Sequence, residues 1–315
     1  MVSLSRLAKR ISSALEWIDN GLVKAYVNAM IHMELHKELN ESKALGQVVK
    51  ERGIEGVEVF LELIRILEGR GIVARYGQSV VWEGSKEVLE YSNRLERTFK
   101  IVESTICEAI EQGVRYHKGD LGPLRIFIEE IMFSNTYRDA IRGLLQSLNV
   151  RNRKGVLDLC CAAGIGAIEA AMLGCDNVMG IDEDPRNIYI AYERSLRERV
   201  PPEKLRFVAD SVIRVAKLVS ENVNVILVVN PLAYLHGIRT LFNVAYKTIS
   251  TGGLICGMLP LRTVDGNPWD PLLIALGGSR ALEKIDLENR LREAGFRKIG
   301  VGEGKVVACF RAIKV

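Results

Sequence analysis

The residues best suited to bind a ligand lie in one short segment in the second half of the chain. Residues 156–166 read VLDLCCAAGIG, an apolar run that contains Asp158, followed by small residues and then by a helical pattern. Small residues allow a backbone to approach a ligand closely, and a helix N-terminus offers free N–H groups. A nicotinamide fingerprint G-x-G-x-x-G is not formed, because Glu169 stands where its third glycine would be.

Acidic side chains also end the next two predicted strands. Asp182 closes NVMGID, 24 residues after Asp158, and Asp210 closes RFVAD and is followed by Ser211. An acid at the end of the second strand can accept hydrogen bonds from both hydroxyls of a ribose. Glu183 and Asp184 are neighbours that could take this role in place of Asp182, or could cap the helix that begins at Pro185. The three strand ends together predict one ligand site.

These side chains need a scaffold that brings strand ends together. From residue 152 onward, strands alternate with helices at βαβ spacing, which predicts a doubly wound, mostly parallel sheet. The first half reads as helical, and within it two helices and a hairpin around Gly77 have the outline of a winged helix. We expect a Rossmann-like α/β domain over 151–315, a helical winged-helix-like domain over 1–115 and linking helices over 116–150.

The position of Asp158 inside its strand resembles the first motif of class I S-adenosylmethionine (AdoMet) methyltransferases. That motif is hydrophobic-hydrophobic-Asp-hydrophobic followed by G-x-G-x-G. Here Cys160 and Ala162 stand at the first two glycine positions and Gly164 at the third. The resemblance implies AdoMet as the cofactor, whose methionine ammonium suits the carboxylate of Asp158.

The same resemblance assigns roles to the other strand-end residues. Asp182, or Glu183 beside it, would bind the ribose hydroxyls. Asp210 would take the adenine amino group, and Ser211 would lend its backbone N–H. The cofactor site predicted from the sequence therefore spans three consecutive strand ends.

Nearly the whole chain resembles the small-molecule O-methyltransferases of plant caffeic-acid and hydroxyindole type. The helix, helix and hairpin of residues 45–85 follow the order of that family's N-terminal dimerisation domain, and DLENRLREAGFRKIGV resembles its closing helix. The resemblance implies a small-molecule acceptor and a homodimer through residues 1–115. The helix over 55–68, which is apolar around most of its circumference, also favours a dimer. Met132 and Tyr137 would line the acceptor pocket or pack in the core.

The loop after the fourth predicted strand supports two interpretations of the chemistry. In one, Leu235-His236 resembles the family's Leu-His-Asp, and His236 is a general base that takes a hydroxyl proton. In the other, Asn230-Pro231 and Tyr234 resemble the Asn-Pro-Pro-Tyr loop of amino-methyltransferases, where the asparagine holds an amino group. Each is a partial match, because Gly237 replaces the Asp of the first motif and Leu232 the second Pro of the other.

Composition excludes several other classes of protein. The chain is 48% hydrophobic and 26% charged, with six cysteines and no C-x-x-C pair, which excludes a disordered chain, a disulfide scaffold and a zinc ribbon. No uncharged apolar run approaches the ~18 residues of a membrane span, and no signal-peptide pattern occurs, so we expect a cytoplasmic protein without metal. Only four glutamines, with frequent Arg, Glu, Ile and Val, favour a thermophilic source.

Charge distribution bears on the choice of partners. The first 150 residues carry a net charge of −1 and the remainder +5. Four glutamates in the helix over 55–68 would repel phosphates, so we expect no DNA binding. An RNA or protein acceptor stays an alternative, because the second half of the chain is positively charged and contains Asn230-Pro231. Transfer of another AdoMet-derived group and an AdoMet-binding protein without catalysis also stay open.

Overall fold

The computed structural model describes residues 3–40, 43–84, 87, 89, 96–113, 124–151, 153–219, 222–229, 233–234 and 237–315. Within these ranges the helices are α1 (Leu4–His32), α2 (Leu35–Asn40), α3 (Leu45–Arg52), α4 (Val57–Gly69), α5 (Glu96–Gln112), α6 (Leu124–Met132), α7 (Asn135–Ser147), α8 (Ile165–Met172), α9 (Pro185–Arg197), α10 (Val215–Leu218), α11 (Ile238–Thr248), α12 (Asp270–Ala275) and α13 (Lys284–Glu293). The strands are β1 (Val73–Tyr76), β2 (Ser79–Trp82), β3 (Lys154–Leu159), β4 (Asp176–Asp182), β5 (Leu205–Ala209), β6 (Val223–Val228), β7 (Ile249–Pro260), β8 (Arg297–Glu303) and β9 (Val307–Ile313).

The described chain divides into two compact units. A sheet unit contains residues 3–15, 131–261 and 282–315, and a helical unit contains the described parts of 16–130 together with 262–281. The ranges 1–115, 116–150 and 151–315 predicted from the sequence are continuous, whereas both observed units are discontinuous. Residues 262–281 leave the sheet unit after β7 and return to it before α13.

The sheet unit is built on seven strands in the order β5-β4-β3-β6-β7-β9-β8. Strands β3 to β7 pair in parallel, and β9 runs antiparallel to both β7 and β8. The central strands are continuous apolar runs because both faces of a parallel sheet are covered by helices. This sheet confirms the predicted Rossmann-like α/β class.

Register places the predicted site residues at one edge of that sheet. Asp158 pairs with Gly180 of β4 on one side and with Leu227 of β6 on the other, and Asp182 pairs with Ala209 of β5. The carboxyl ends of β3, β4 and β5 therefore meet, which is where open α/β sheets bind their ligands.

The helical unit contains the predicted helix, helix and hairpin. α3 and α4 are followed by β1 and β2, which pair antiparallel from Val73 opposite Trp82 to Tyr76 opposite Ser79. The assignment of this unit as a winged helix stays a prediction. Within the predicted linking helices over 116–150, the described residues form α6 and α7. Ser134 separates the two by capping α7, where its side chain accepts a hydrogen bond from the backbone N–H of Tyr137 at 3.3 Å.

Helix α4 is covered within its own unit. Phe60, Leu63 and Ile64 are fully buried, and both α5 and α12 pack against the helix. Glu62 is also buried and accepts hydrogen bonds from the guanidinium of Arg262 at 3.0 and 3.2 Å. Most of the apolar surface of α4 is thus covered by α5 and α12, while Val57 and Leu61, at 38% and 42% exposure, stay accessible. The homodimer through residues 1–115 stays a prediction.

Among the described residues, no helix is long and apolar enough to cross a membrane. This agrees with the composition of the chain.

Candidate cofactor site

The turn between β3 and α8 has an unusual backbone. Cys160, Ala162 and Gly164 all adopt the left-handed region, with φ of 55°, 46° and 84°. These are the three positions at which the resembled motif carries glycine. Left-handed backbone costs an ordinary residue about 1–2 kcal/mol, so the chain keeps the shape of a glycine turn without two of its glycines.

One hydrogen bond to the neighbouring strand β4 and one within the turn hold this backbone. The backbone N–H of Cys161 donates to the carbonyl of Ile181 at 3.0 Å, and that of Gly164 donates to the carbonyl of Cys161 at 2.8 Å. The Phe207 ring of β5 packs on Gly164, where a Cβ would lie 2.7 Å from the ring. Phe207 is a residue that sequence reasoning missed, since an apolar position in a strand carries no sign of which backbone it covers.

Asp158 is fully buried beside this turn. Its Oδ2 accepts a hydrogen bond from the backbone N–H of Ala167 at 2.8 Å, in the first turns of α8. Its Oδ1 has no hydrogen-bond partner among the described residues. Burial raises the pKa of Asp158 to about 8, with a smaller upward contribution from Asp182. An unsatisfied buried carboxylate oxygen is expensive, so this atom points to a cationic or donor ligand.

Asp182 is buried and uses its carboxylate inside the protein. Oδ2 accepts from the backbone N–H of Ala162 at 2.8 Å, and Oδ1 accepts from the N–H of Asp184 and the Nδ2 of Asn187, both at 3.0 Å. Asp182 therefore fixes the left-handed turn to the start of α9. Asn187 was missed in the sequence, where only its place in the first turn of a helix next to Asp182 could have indicated it.

Glu183, Asp210 and Ser211 come together at the neighbouring strand end. Glu183 is exposed, and its Oε1 accepts a hydrogen bond from the Ser211 hydroxyl at 2.6 Å. The N–H of Asp210 donates to the carbonyl of Asp182 at 3.0 Å, and its Oδ1 accepts from the N–H of Ser211 at 2.6 Å and pairs with Arg214 at 2.5 Å. The predicted residues of the second and third strand ends are thus direct neighbours.

The thiols of this site are not nucleophiles at neutral pH. Burial raises the pKa of both Cys160 and Cys161 well above the ordinary value, and the charges of Asp182 and Asp158 raise it further. Only the thiolate is reactive, so both residues act as small buried groups. The described residues contain no group of three metal-binding side chains.

The predicted acceptor-side residues are only partly visible. Asn230 and His236 lie outside the described residues. Tyr234 is buried, and its hydroxyl donates to the carbonyl of Pro260 at 2.8 Å. Met132 and Tyr137 are both buried in the sheet unit, and the Tyr137 hydroxyl bonds to the backbone rather than facing open solvent.

Comparisons with known proteins point to the same fold. A family model described as Ribosomal protein L11 methyltransferase (PrmA) matches residues 139–259, which is less than half of the chain. No curated protein sequence matches significantly.

Solved structures match over nearly the full length. The CurJ carbon methyltransferase has a TM-score of 0.63 at 14% identity and covers 99% of this chain and 95% of its own. The CMeT domain of the citrinin polyketide synthase has a TM-score of 0.65 at 12% identity, with 98% and 96% covered. An O-methyltransferase family 2 protein from Planctomyces limnophilus, in complex with apigenin, has a TM-score of 0.58 at 12% identity, with 98% and 96% covered.

These likenesses establish a class I methyltransferase fold. Together with the family model they indicate an AdoMet-dependent methyltransferase, for which AdoMet is the expected cofactor. The residues fit that cofactor on one observation of the structure itself. In the part of the chain that the structure describes, no group bonds to the buried Oδ1 of Asp158, at the strand end where an ammonium would be needed.

Proposed function

We propose that the chain transfers the methyl group of AdoMet to a hydroxyl or amino group of a small molecule. The observation that carries this proposal is the extent of the structural match. Carbon and O-methyltransferase structures, one of them in complex with the small molecule apigenin, match 98% or more of the chain, including the helical unit, whereas the protein-methyltransferase model matches only residues 139–259. A methyltransferase sheet by itself does not identify the acceptor, so the rest of the chain carries the distinction.

Within this proposal the described residues share the binding of AdoMet. Asp158 takes the methionine ammonium through its unpartnered Oδ1, and the backbone of Cys160, Ala162 and Gly164 lies against the cofactor. Glu183 binds ribose hydroxyls from its exposed position, while Asp182 holds the turn in place and contributes its remaining acceptor capacity. Asp210 and Ser211 bind the adenine. When bound, AdoMet supplies an electrophilic methyl group.

The acceptor side needs few specialised residues. Alignment of the accepting atom with the methyl group can supply several kcal/mol of the barrier reduction without acid or base catalysis. Asn230 is proposed to hold an amino acceptor, or His236 to take a hydroxyl proton; the two assignments predict different acceptors. Met132 and Tyr137 support the acceptor pocket from the helices before β3.

Cofactor binding is the first test of this proposal. Isothermal titration calorimetry with AdoMet and S-adenosylhomocysteine (AdoHcy) should show binding of both to the folded protein. A panel of phenols, catechols and primary amines is then incubated with AdoMet, and AdoHcy formation is measured. A folded protein that binds neither compound refutes the proposal.

Protein methylation is a second candidate, favoured by the match to the PrmA model over residues 139–259. To separate the two candidates, the protein is incubated with methyl-labelled AdoMet and a cell extract, and the products are then fractionated by size. Label in macromolecules favours a protein or RNA acceptor, and label in the low-molecular-weight fraction favours a small molecule. Carbon as the accepting atom is a further outcome of the same assay, because the product can be analysed for its new C–methyl bond.

A further inference from the structure

A buried tyrosine holds the backbone at the end of β6. The hydroxyl of Tyr137, in the first turn of α7, donates to the carbonyl oxygen of Val229 at 2.8 Å, and the residue is 4% exposed. Burial raises the pKa of Tyr137, and the charge of Asp158 raises it further, so the hydroxyl stays a hydrogen-bond donor at neutral pH. Val229 is peptide-bonded to Asn230.

A second buried tyrosine holds the same segment further along. Tyr234 is 1% exposed, and its hydroxyl donates to the carbonyl of Pro260 at 2.8 Å and accepts from the N–H of Leu282 at 3.3 Å. Pro260 ends β7, and Leu282 is where the chain re-enters the sheet unit after residues 262–281. The Tyr234 hydroxyl therefore bonds to the chain just before residues 262–281, at Pro260, and just after them, at Leu282.

The first of these anchor points also borders the cofactor carboxylate. A Cβ built on Gly166 would lie 2.6 Å from Oδ2 of Asp158 and 2.6 Å from Cγ2 of Val229. Because Gly166 has no side chain, the Asp158 carboxylate and the Val229 side chain can both lie close to α8 at this position. The backbone that Tyr137 holds is therefore fixed relative to the residue proposed to bind the methionine ammonium.

We infer that Tyr137 and Tyr234 are positioning residues for methyl transfer, which hold Val229 and the described residues 233–234 in place after β6. This inference rests on the proposed function. Neither hydroxyl is needed to fill the core, because a phenylalanine ring would fill the same space. Each hydroxyl instead bonds to a backbone oxygen, that of Tyr137 to Val229 and that of Tyr234 to Pro260. In the sequence, Val229 directly precedes the acceptor-side candidate Asn230, and Tyr234 stands two residues before the candidate His236.

The test uses Tyr137→Phe and Tyr234→Phe, with Tyr26→Phe as the matched control. Tyr26 is fully buried in the helical unit, and its hydroxyl donates to the carbonyl of Pro268, so the control removes the same kind of bond. Each full-length variant is compared for melting temperature, AdoHcy affinity, kcat and KM with the acceptor found in the screen, and hydrogen exchange of peptides covering 229–237.

The two site variants should bind AdoHcy with unchanged affinity, and their kcat should fall about tenfold, because small misplacements of reacting atoms lower rates steeply. Exchange in 229–237 should accelerate in both, while exchange in β4 and β5 stays the same. Tyr26→Phe should show a comparable loss of melting temperature with neither effect.

A kcat and an exchange pattern like those of Tyr26→Phe in both site variants would overturn the inference. Wild-type AdoHcy binding and turnover would then leave the proposed function standing. If the wild type binds no AdoHcy, the proposed function fails. Independently of that result, unchanged hydrogen exchange in 229–237 of the Tyr137→Phe and Tyr234→Phe variants would overturn the inference. A variant that does not fold leaves the other variant to decide.

Discussion

Asp158 should make both the stability of the protein and its affinity for AdoHcy depend on pH. Its carboxyl is fully buried, and burial raises its pKa from 3.8 to about 8. Between about pH 4 and about pH 8, the unfolded chain carries an ionised Asp158 while the folded chain keeps it protonated. Folding then takes up a proton, so this group lowers the free energy of unfolding by about 1.4 kcal/mol per pH unit as pH rises.

Substitution Asp158→Asn removes that contribution. Urea unfolding at pH 5, 6, 7 and 8 should show a free energy of unfolding that falls more steeply with pH in the wild type than in the variant. Over two pH units the difference should approach about 3 kcal/mol, with the wild type relatively more stable at low pH. Parallel curves for the two proteins would show that Asp158 is ionised in the folded chain.

Cofactor binding provides the second arm of this prediction. An ammonium placed beside Oδ1 stabilises the ionised form, so AdoHcy binding should release a proton and its affinity should rise up to about tenfold per unit towards pH 8. Adenosine, which lacks the methionine ammonium, is the matched control and should bind with little change over the same range. An AdoHcy affinity that is constant with pH, or that follows adenosine, would refute the assignment of the ammonium to Asp158.

Three further predictions follow from the same site and from the helical unit. Ala162→Gly should change the free energy of unfolding by less than about 1 kcal/mol, because relief of a left-handed backbone offsets the lost methyl group and the flexibility of glycine. The control Ala170→Gly, in the buried interior of α8, should be destabilised by about 1.5 kcal/mol; equal losses at the two positions, by urea unfolding, would disprove the strain. Asp182→Ala should lower the melting temperature because three buried donors lose their acceptor, whereas Glu183→Ala should leave it unchanged and weaken AdoHcy binding by about 1–3 kcal/mol in calorimetry. Light scattering at micromolar concentration should show the homodimer that the resemblance implies, and a monodisperse 35.1 kDa species would contradict it.

Local pattern was sufficient to predict the α/β sheet and the place of its ligand site. Buried parallel strands are continuous apolar runs, so VLDLCC and NVMGID mark β3 and β4 without further information. The carboxyl end of a strand is also a local property. Asp158, Asp182 and Asp210 could therefore be assigned to one sheet edge before any distance was known.

Only the tertiary structure decided what those residues do there. Whether Cys160 and Ala162 adopt a glycine-like backbone depends on hydrogen bonds that the N–H groups of Cys161 and Ala162 donate to Ile181 and Asp182, which belong to another strand. The hydroxyls of Tyr137 and Tyr234 find their acceptors 92 and 26 residues away. The sequence can indicate that a tyrosine suits a buried position. The acceptor of its hydroxyl depends on which distant segments the fold brings together, and local propensities do not determine this.

The helical unit gives the clearest example of this limit. Apolar residues around most of α4 predict from the sequence alone that the surface of this helix is covered. The structure buries that surface with α5 and with α12 of residues 262–281, whose Arg262 pairs with Glu62 across 200 positions of the chain. Periodicity determines that a helix face must be covered, because exposed apolar surface is unfavourable in water. Which segment covers it is decided by the complete fold, since that contact joins residues with no local relation.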